Sequence, residues 1–352
     1  MAEVVVGVDV GGTKVLAGVV DRAGHVVRTA RRETPGRRVS PAKVEDALVA
    51  AVLDAADGRR LRAVGVSAAG FVDAPGERVM FAPHLPWQGE PVRAILTKRL
   101  GAPVHLDNDA NCAAWAEYRF GTARGSHSAL MITLGTGIGG ALVLEGQVIR
   151  GANGMAGEFG HMQMVADGLP CECGRRGCWE QYCSGNALLR YARARLVNEP
   201  SVMADMCDGV PERLTGPMIT DAAAAGDMVA REAFADVGHW LGVGTANLVA
   251  AFDPEVVVIG GGVSDAGERL LDPARHALKH ALVGAEHRIV PRLERAALGP
   301  QAGLVGAAAL ARATVELGAR AARRRRTGRA ARVASQPRGI RSLRRTRRVG
   351  RG

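Results

Sequence analysis

Two acids and two amides lie within residues 107–111 of this 352-residue chain, which read Asp-Asn-Asp-Ala-Asn. One such side chain commonly caps the start of a helix, which adds about 1 kcal/mol of stability. Because the segment holds more polar groups than a cap requires, it is also a candidate site of proton transfer. Phosphoryl transfer to a hydroxyl uses a carboxylate that accepts the hydroxyl proton. We therefore predict that Asp109 is the base and that Asn108 orients the acceptor hydroxyl.

Three glycine-rich turns follow short apolar runs, at residues 9–13, 133–137 and 256–262. The first turn has a different residue where a phosphate-binding P-loop has its lysine. The second turn precedes a predicted strand, whereas a dinucleotide motif needs a helix there. These turns could be tight connections without a ligand, or their backbone N–H groups could bind nucleotide phosphates. Because the turn recurs, we predict phosphate binding. The predicted side-chain contributors are three donors and one carboxylate that holds magnesium through its water shell: Thr13, Lys14, Thr136 and Asp9.

A third group combines three cysteines and one histidine within 18 residues: His161, Cys171, Cys173 and Cys178. Three thiolates and one imidazole suit structural zinc, which favours a closed tetrahedral site. In a chain without an evident export signal, a metal site is favoured over disulfides. A redox pair at Cys171 and Cys173, or three unrelated buried thiols, are the alternatives.

Two acids flank this cysteine–histidine group. Glu158 precedes His161 by three residues, and Glu180 follows Cys178 by two. If zinc takes one ring nitrogen of His161, the other nitrogen can still form a hydrogen bond. Two carboxylates and an imidazole on a rigid loop would suit a neutral ligand with many hydroxyls. The alternative is that both acids are solvated surface residues.

The predicted elements place these groups between two similar halves of the chain. A strand, a glycine turn and a second strand open the chain, and the same order recurs 124 residues later. Two such α/β halves are expected to face each other across a cleft. Strands are predicted at residues 4–10, 15–20, 61–66, 104–106, 141–144 and 256–259, and helices at 42–56 and 110–120.

The composition is that of a folded protein with an unusual basic end. Hydrophobic residues make up 47% and charged residues 23% of the chain, which excludes a wholly disordered protein. No run approaches the roughly 18 apolar residues that a membrane span requires, and the first residues do not resemble a signal peptide. We therefore expect a cytoplasmic protein that does not associate with membranes.

The net charge of +11 belongs to the C-terminal tail. Residues 319–352 hold 14 Arg and no acid, while the remaining chain has 32 basic against 35 acidic residues. We expect regular structure to end near residue 317 and the tail at 318–352 to be disordered. A nucleic-acid-binding arm is the alternative, because basic segments attract phosphate irrespective of sequence.

Together these motifs resemble the ROK (repressor, open reading frame, kinase) family of sugar kinases. The resemblance rests on residues 7–14, 107–111, 134–140, 157–161 and 171–180, the last being a cysteine motif peculiar to the family. Residues 81–87 and 114–121 are most similar to ATP-dependent glucokinases of actinobacteria. Residues 68–70 depart from the family pattern, because they read Ala-Ala-Gly where many relatives have Pro-Gly.

The resemblance implies an α/β, actin-like (ribonuclease-H-like) two-domain sugar kinase fold with an interdomain cleft. The N-terminal domain would span residues 1–118 and be completed by a helix at 300–317. The C-terminal domain, with the zinc loop, would span 119–299. The implied activity is transfer of phosphate from ATP to the 6-hydroxyl of glucose, with Mg²⁺ on the nucleotide and structural Zn²⁺, in a homodimer or homotetramer.

The resemblance also assigns residues to each ligand, with Asp109 as the general base. The sugar would be held by Gly70, Asn108, Asp109, Glu158, His161 and Glu180. The ATP phosphates would lie near Gly11, Gly12, Thr13, Lys14, Thr136 and Gly137, and the adenosine nearer Gly261 and Gly262. Zinc would be held by His161, Cys171, Cys173 and Cys178.

Other functions stay open at this stage. The acceptor could be another hexose, N-acetylmannosamine or N-acetylglucosamine, and the donor could be polyphosphate. Because the family includes repressors, a sugar-responsive transcription factor is a rival from a different class. Such repressors carry a helix-turn-helix before the first glycine turn. Here Asp9 lies eight residues from the start, so we expect the kinase.

Overall fold

The computed structural model of the chain describes residues 3–334. The strands are β1 (Glu3–Val10), β2 (Lys14–Val20), β3 (Val26–Glu33), β4 (Arg60–Ala68), β5 (Phe71–Val72), β6 (Val79–Phe81), β7 (Val104–Asn108), β8 (Ser128–Leu134), β9 (Ile138–Leu144), β10 (Gln147–Val148), β11 (Val256–Gly260) and β12 (Arg292–Arg295). The α-helices are α1 (Pro41–Ala56), α2 (Val92–Leu100), α3 (Asp109–Phe120), α4 (Gly185–Leu196), α5 (Val202–Met206), α6 (Gly216–Ala225), α7 (Met228–Phe252), α8 (Glu268–Ala281) and α9 (Ala302–Ala334). Short 3-10 helices lie at Phe159–His161, Trp179–Gln181, Pro211–Arg213, Gly262–Ala266 and Gly299–Gln301.

The first sheet has the strand order β3-β2-β1-β4-β7. β1, β2 and β3 pair antiparallel, whereas β4 pairs with β1, and β7 with β4, in parallel. Val6, Val8 and Val10 of β1 are fully buried in one core with Val44 and Leu48 of α1. A valine-rich central strand of this kind is typical of a sheet whose two faces are both covered by other elements.

Helix α9 covers the opposite face of this sheet, where glycines allow it to approach closely. Side chains alternate between the two faces of a strand, so Gly7 points away from the face of Val6. A Cβ atom at Gly7 would collide with the Leu304 carbonyl of α9, and one at Gly65 of β4 would collide with the Ala307 carbonyl. Glycine at both positions therefore lets the helix pack directly on the strand backbones.

The second sheet has the order β10-β9-β8-β11-β12 and repeats the topology of the first. β8, β9 and β10 pair antiparallel, and β11 and β12 continue the sheet in parallel from β8. Helices α7 and α8 pack on this sheet, with Phe234 and Leu241 of α7 fully buried. The recurring strand–turn–strand pattern in the sequence predicted this repetition, since each copy opens one of the sheets.

The described residues up to Arg312 form one compact unit, and those from Ala313 onward form a second. Both sheets belong to the first unit, and the division into domains at residues 118 and 299 stays a prediction. In the second unit, α9 continues to Ala334, which is further than the expected end of regular structure near residue 317. The predicted disorder of residues 335–352 lies outside the described part of the chain.

One helical stretch among residues 3–334, Gly299–Ala319, is long and apolar enough to cross a membrane by length and composition alone. Half of this stretch is buried inside the protein. The stretch includes Gln301, Arg312 and Glu316, so its longest uninterrupted apolar run stays well short of about 18 residues. Alanine-rich and glycine-rich composition, which lets α9 pack on the first sheet, also gives the stretch its apolar character.

Candidate active site and metal centre

The candidate base lies at the junction of β7 and α3. The side-chain oxygen of Asn108 accepts hydrogen bonds from the backbone N–H groups of Ala110 at 2.9 Å and Asn111 at 3.2 Å, so Asn108 caps the helix. The amide nitrogen of Asn108 donates to the Asp109 carboxylate at 2.9 Å and to the Gly70 carbonyl at 3.1 Å. Three of the predicted sugar-site residues therefore lie in contact.

The pKa of Asp109 is raised to about 6. The side chain is exposed to a cavity but surrounded by protein, and this restricted hydration is the main cause, because it disfavours the anion. The charge of Asp9, and more weakly that of Glu158, acts in the same direction, against a hydrogen bond from the Ala110 backbone. A carboxylate with a pKa near neutrality is well suited to accept a proton.

Asp107 is a buried anchor behind this turn. Arg150 Nε donates to its carboxylate at 3.0 Å, a second Arg150 nitrogen donates to the same oxygen, and His105 Nε2 lies 3.6 Å away. Burial alone would raise the pKa of Asp107, but His105 and Arg150 hold it below its ordinary value. Arg150 follows β10 of the second sheet. It was not predicted from sequence, because a single arginine outside any motif gives no signal.

A cavity of about 310 Å³ opens beside Asp109, lined by residues from both sheets. Asp9, at the end of β1, lines it together with Asp109, as do Thr133 of β8 and Arg295 of β12. Ser67 Oγ donates to Asp9 at 2.8 Å. Burial raises the pKa of Asp9, and the hydrogen bond from Ser67 and the charge of Lys14 oppose that shift.

The third glycine turn forms one wall of this cavity. Gly261 and Gly262 follow β11 and line the cavity, and their contact with a nucleotide stays a prediction. Gly261 has φ +82°, and a Cβ atom there would collide with the backbone of Leu134. A side chain at position 261 would therefore be strained by its own backbone and blocked by β8.

A second cavity of about 410 Å³ adjoins the first, since Gly262 and Asp265 line both. Thr136 lies on its wall, as do Asn186 and Leu188 of α4 and Pro217, Thr220 and Asp221 of α6. Sequence reasoning missed the α4 and α6 residues and Asp265. They belong to no motif, and only the packing of distant helices brings them together.

The first glycine turn forms the tip of the hairpin between β1 and β2. The Gly11 N–H donates to the Lys14 carbonyl at 3.0 Å, which closes the β1–β2 hairpin. Gly12 lies against His84, with 2.7 Å between the site of a Cβ atom and the His84 Cβ. None of the residues 11–14 lines either of the two cavities, and neither does Gly137, which lies beside Glu180. Their role in nucleotide binding stays a prediction.

The flanking acids lie on either side of His161. Glu158 Oε2 is 4.0 Å from His161 Nε2, and Glu180 Oε1 is 3.7 Å from His161 Nδ1. The Glu180 side chain is only 16% exposed and that of Glu158 41%, so Glu180 is not a solvated surface acid. Burial and the nearby charge of Glu180 raise the pKa of Glu158, against the effect of His161.

His161 and the three cysteines of the motif converge. Their ligand atoms all lie within 4.8 Å of one another, with 3.8 Å between Cys171 Sγ and His161 Nδ1 and 3.6 Å between Cys173 Sγ and Cys178 Sγ. Tetrahedral zinc, with bonds of about 2.0–2.3 Å, separates its ligands by about 3.5–3.8 Å. The residues therefore fit a zinc ion, and all three cysteines are free thiols.

Two sheets of one topology line a cavity beside a carboxylate of raised pKa, and the solved structures of similar proteins place this architecture in the class of actin-like sugar kinases. The α/β fold expected from the sequence is confirmed by solved structures. The chain belongs to the ROK family, whose sequence model matches residues 5–314. The family resemblance seen in the motifs is therefore confirmed.

The chain is similar to several proteins that are named glucokinase or hexokinase. A glucokinase of Streptomyces coelicolor is 45% identical over 310 residues, which cover 87% of this chain and 97% of that protein. A crystal structure of a ROK family glucokinase from Streptomyces griseus in complex with glucose and AMPPNP is 46% identical, with a TM-score of 0.79, covering 88% and 99% of the two chains. The ROK hexokinase from Thermus thermophilus is 36% identical, with a TM-score of 0.72, covering 89% and 99%.

Proposed function

We propose that this protein is a glucokinase, which transfers the γ-phosphoryl group of ATP to the 6-hydroxyl of glucose and releases glucose 6-phosphate and ADP. The observation that carries the proposal is Asp109, a carboxylate with a pKa of about 6 beside a cavity that both sheets line. The similarity to the Streptomyces glucokinases over nearly the whole body of the chain supports the choice of sugar and donor.

In the proposed reaction, Asp109 accepts the proton of the glucose 6-hydroxyl as that oxygen attacks the γ-phosphorus of ATP. The bond from the γ-phosphorus to the bridging oxygen breaks, and ADP leaves with that oxygen. Asn108 is fixed by its bonds to Gly70 and Asp109, and it thereby holds the carboxylate of the base in place. A direct bond from the Asn108 amide to a sugar hydroxyl would replace one of these two bonds. Positioning of this kind supplies much of the catalysis in phosphoryl transfer.

The phosphates of ATP would lie in the cavity between Asp9 and the turn at Gly261 and Gly262. Mg²⁺ supplies charge neutralisation on the β- and γ-phosphate oxygens when it is bound with ATP. Asp9 would hold the ion through water, which suits the reluctance of Mg²⁺ to lose its water shell. The adjoining cavity, with Asn186 and Thr220 on its wall, would take the nucleoside.

The role proposed for zinc is structural. His161, Cys171, Cys173 and Cys178 would complete its four ligands and leave no position for a reacting group. The ion would fix the loop that carries Glu158 and Glu180, whose carboxylates would accept hydrogen bonds from sugar hydroxyls. His161 has one ring nitrogen toward the cysteines and the other toward Glu158, so it could serve both sites.

We further propose a cytoplasmic homodimer or homotetramer. Free, closely spaced thiols are maintained in a reducing compartment, and the family favours such assemblies. Light scattering after size-exclusion chromatography gives the mass of the assembly in solution. A monomer at micromolar concentration would contradict this part of the proposal.

The test of the proposed function is ADP release from magnesium-ATP with glucose, mannose, fructose, N-acetylmannosamine and N-acetylglucosamine as separate acceptors. A matched series replaces ATP with polyphosphate, and Asp109→Asn controls for contaminating kinases. A strong preference for glucose with ATP is expected. Activity on an amino sugar alone, or with polyphosphate alone, would reassign the substrate. Absence of activity with every pair would favour the sugar-responsive regulator.

A further inference from the structure

Glu117 is a fully buried carboxylate that the proposed reaction does not use. It lies on α3, eight residues after Asp109, and is 1% exposed. Its carboxylate accepts hydrogen bonds from three backbone N–H groups: Thr122 at 2.9 Å, Ala297 at 3.1 Å and Leu298 at 2.7 Å. A buried carboxylate is costly unless hydrogen bonds compensate it, so this one is bound firmly to those backbone groups.

These hydrogen bonds join parts of the chain that are far apart in sequence. Ala297 and Leu298 follow β12 and lie 180 residues or more from Glu117. A second bond strengthens the same junction, because Thr122 Oγ1 donates to the Arg295 carbonyl at 2.8 Å. The C-terminal half of α3 is therefore fastened to the segment between β12 and α9.

Both ends of this junction lead to the proposed active site. Asp109 is the first residue of α3, and the segment from Arg295 to Gly303 contributes much of the wall of the cavity beside it. Gly303 also approaches Asp9, with 2.9 Å between the site of a Cβ atom and Asp9 Oδ1. A shift of α3 along this segment would thus change the distance from Asp109 to the groups across the cavity.

We propose that Glu117 is a positioning residue for phosphoryl transfer, which holds the helix of the base at a fixed distance from the cavity wall at residues 295–303. The expected effect of Glu117 on the rate of phosphoryl transfer rests on the proposed function. Its role in fixing the position of α3 does not. A charged acceptor is required because one carboxylate receives three N–H donors, and charge-assisted bonds are shorter and stronger than neutral ones.

Gly121 belongs to the same junction between α3 and the segment after β12. A Cβ atom at position 121 would collide with the Glu117 carboxylate. The backbone there has φ −112°, which does not itself require glycine, so the glycine serves to leave room for the carboxylate. Gly121→Ala therefore displaces the Glu117 carboxylate without removing its charge and gives a second, independent variant.

The experiment compares Glu117→Gln and Gly121→Ala with Glu45→Gln as the control. Glu45 is also a buried acid, 4% exposed, but it lies on α1 and is not among the cavity residues. In Glu117→Gln, the new amide would turn an N–H group toward backbone N–H donors. Hydrogen–deuterium exchange of the ligand-free protein and steady-state kinetics with glucose and magnesium-ATP are then measured on all three variants.

We expect both test variants to exchange faster not only at residues 296–303 but also at 107–111, the turn of the base. We expect kcat to fall about 10- to 100-fold, as a misplacement of about 1 Å would cause, with the glucose affinity changed less than threefold. Faster exchange confined to residues 296–303, with unchanged kcat, would overturn the proposal. So would an equal loss of kcat in Glu45→Gln at a similar melting temperature.

Failure of the proposed function and failure of the inference about Glu117 would give different results. If the wild-type protein does not phosphorylate glucose, the proposed function fails, but the exchange of residues 107–111 still decides whether Glu117 fixes the turn. If the wild-type enzyme is active and neither variant changes kcat or that exchange, only the inference about Glu117 fails.

Discussion

Asp9 and Asp109 face one cavity from two different elements, the end of β1 and the start of α3. The charge of Asp9 is, after restricted hydration, the main influence that raises the pKa of Asp109 to about 6. The two carboxylates are therefore coupled. Any change that neutralises Asp9 lowers the pKa of Asp109 and favours its anionic, proton-accepting form.

This coupling predicts the pH dependence of the reaction. Because the base must be an anion, kcat/KM, which reports the groups of the free enzyme, should decline as the pH falls below about 6. Asp9→Asn removes a negative charge and should move this acid limb to lower pH, whatever its effect on the maximal rate. The measurement is kcat/KM for glucose from pH 5 to 8 with saturating magnesium-ATP. Glu77→Gln, at an exposed surface ion pair, is the control, and an unmoved limb in Asp9→Asn would contradict the coupling.

Substitution of the base should lower the rate of the chemical step much more than the affinity for glucose. Asp109→Asn should lower kcat by about 10²- to 10⁴-fold, the usual contribution of a general base. The affinity for glucose should change only a few-fold, because an asparagine oxygen can still accept the hydrogen bond from Asn108. Turnover is measured by ADP release and affinity by calorimetry. Near-normal turnover would refute the assigned role, and Asp46→Asn on the surface of α1 is the matched control.

The ion pair between Arg150 and Asp107 should stabilise the fold around the catalytic turn. Arg150→Met leaves the Asp107 charge buried without the partner that makes two hydrogen bonds to it, and should lower the free energy of unfolding at pH 7 by about 3 kcal/mol. The pKa of Asp107 is depressed in the folded protein. The stabilisation should therefore be complete above the ordinary carboxyl pKa of about 3.9 and disappear at lower pH.

Urea denaturation at pH 7 and at lower pH measures this difference. Arg213→Met is the control, because Arg213 pairs with Asp208 on the surface, where both side chains are mostly exposed, and such pairs contribute little. Equal destabilisation by both substitutions, or a loss in Arg150→Met that is independent of pH, would show that the pair does not act through the Asp107 charge.

The parts of the site that could be predicted from sequence are local in the chain. Asn108 and Asp109 are adjacent, and the cysteine motif lies in one short loop, so spacing alone brings their side chains together. The repeated strand–turn–strand pattern likewise predicted two sheets of one topology. Each of these predictions depended on residues within a single element or on a direct repetition.

The parts that could not be predicted depend on long-range packing. Arg150 reaches Asp107 from 43 residues away, and Ser67 reaches Asp9 from 58. The α4 and α6 walls of the second cavity have no motif. Conversely, the glycine turn at residues 11–14 was recognisable as a hairpin, but its sequence does not say where the hairpin lies relative to the cavities.

The cysteine–histidine group allows the proposed zinc site to be tested apart from activity. We expect elemental analysis to give one zinc per chain, and we expect Cys178→Ala to lose the metal because it removes one of four ligands. Metal binding is coupled to folding of the loop that carries the ligands. The loss should therefore loosen Glu158 and Glu180 and weaken glucose binding at least tenfold, as calorimetry would measure.

Cys207→Ala is the matched control, because Cys207 is a buried, free cysteine in α5's vicinity that is not one of the converging ligands. It should keep both zinc and glucose affinity. A metal-free Cys178→Ala protein that binds glucose as tightly as the wild type would contradict the link between the ion and the two acids. We expect loss of the metal to move Cys171. Glu180 Oε1 lies 3.0 Å from Cys171 Sγ, so the carboxylate should move with it.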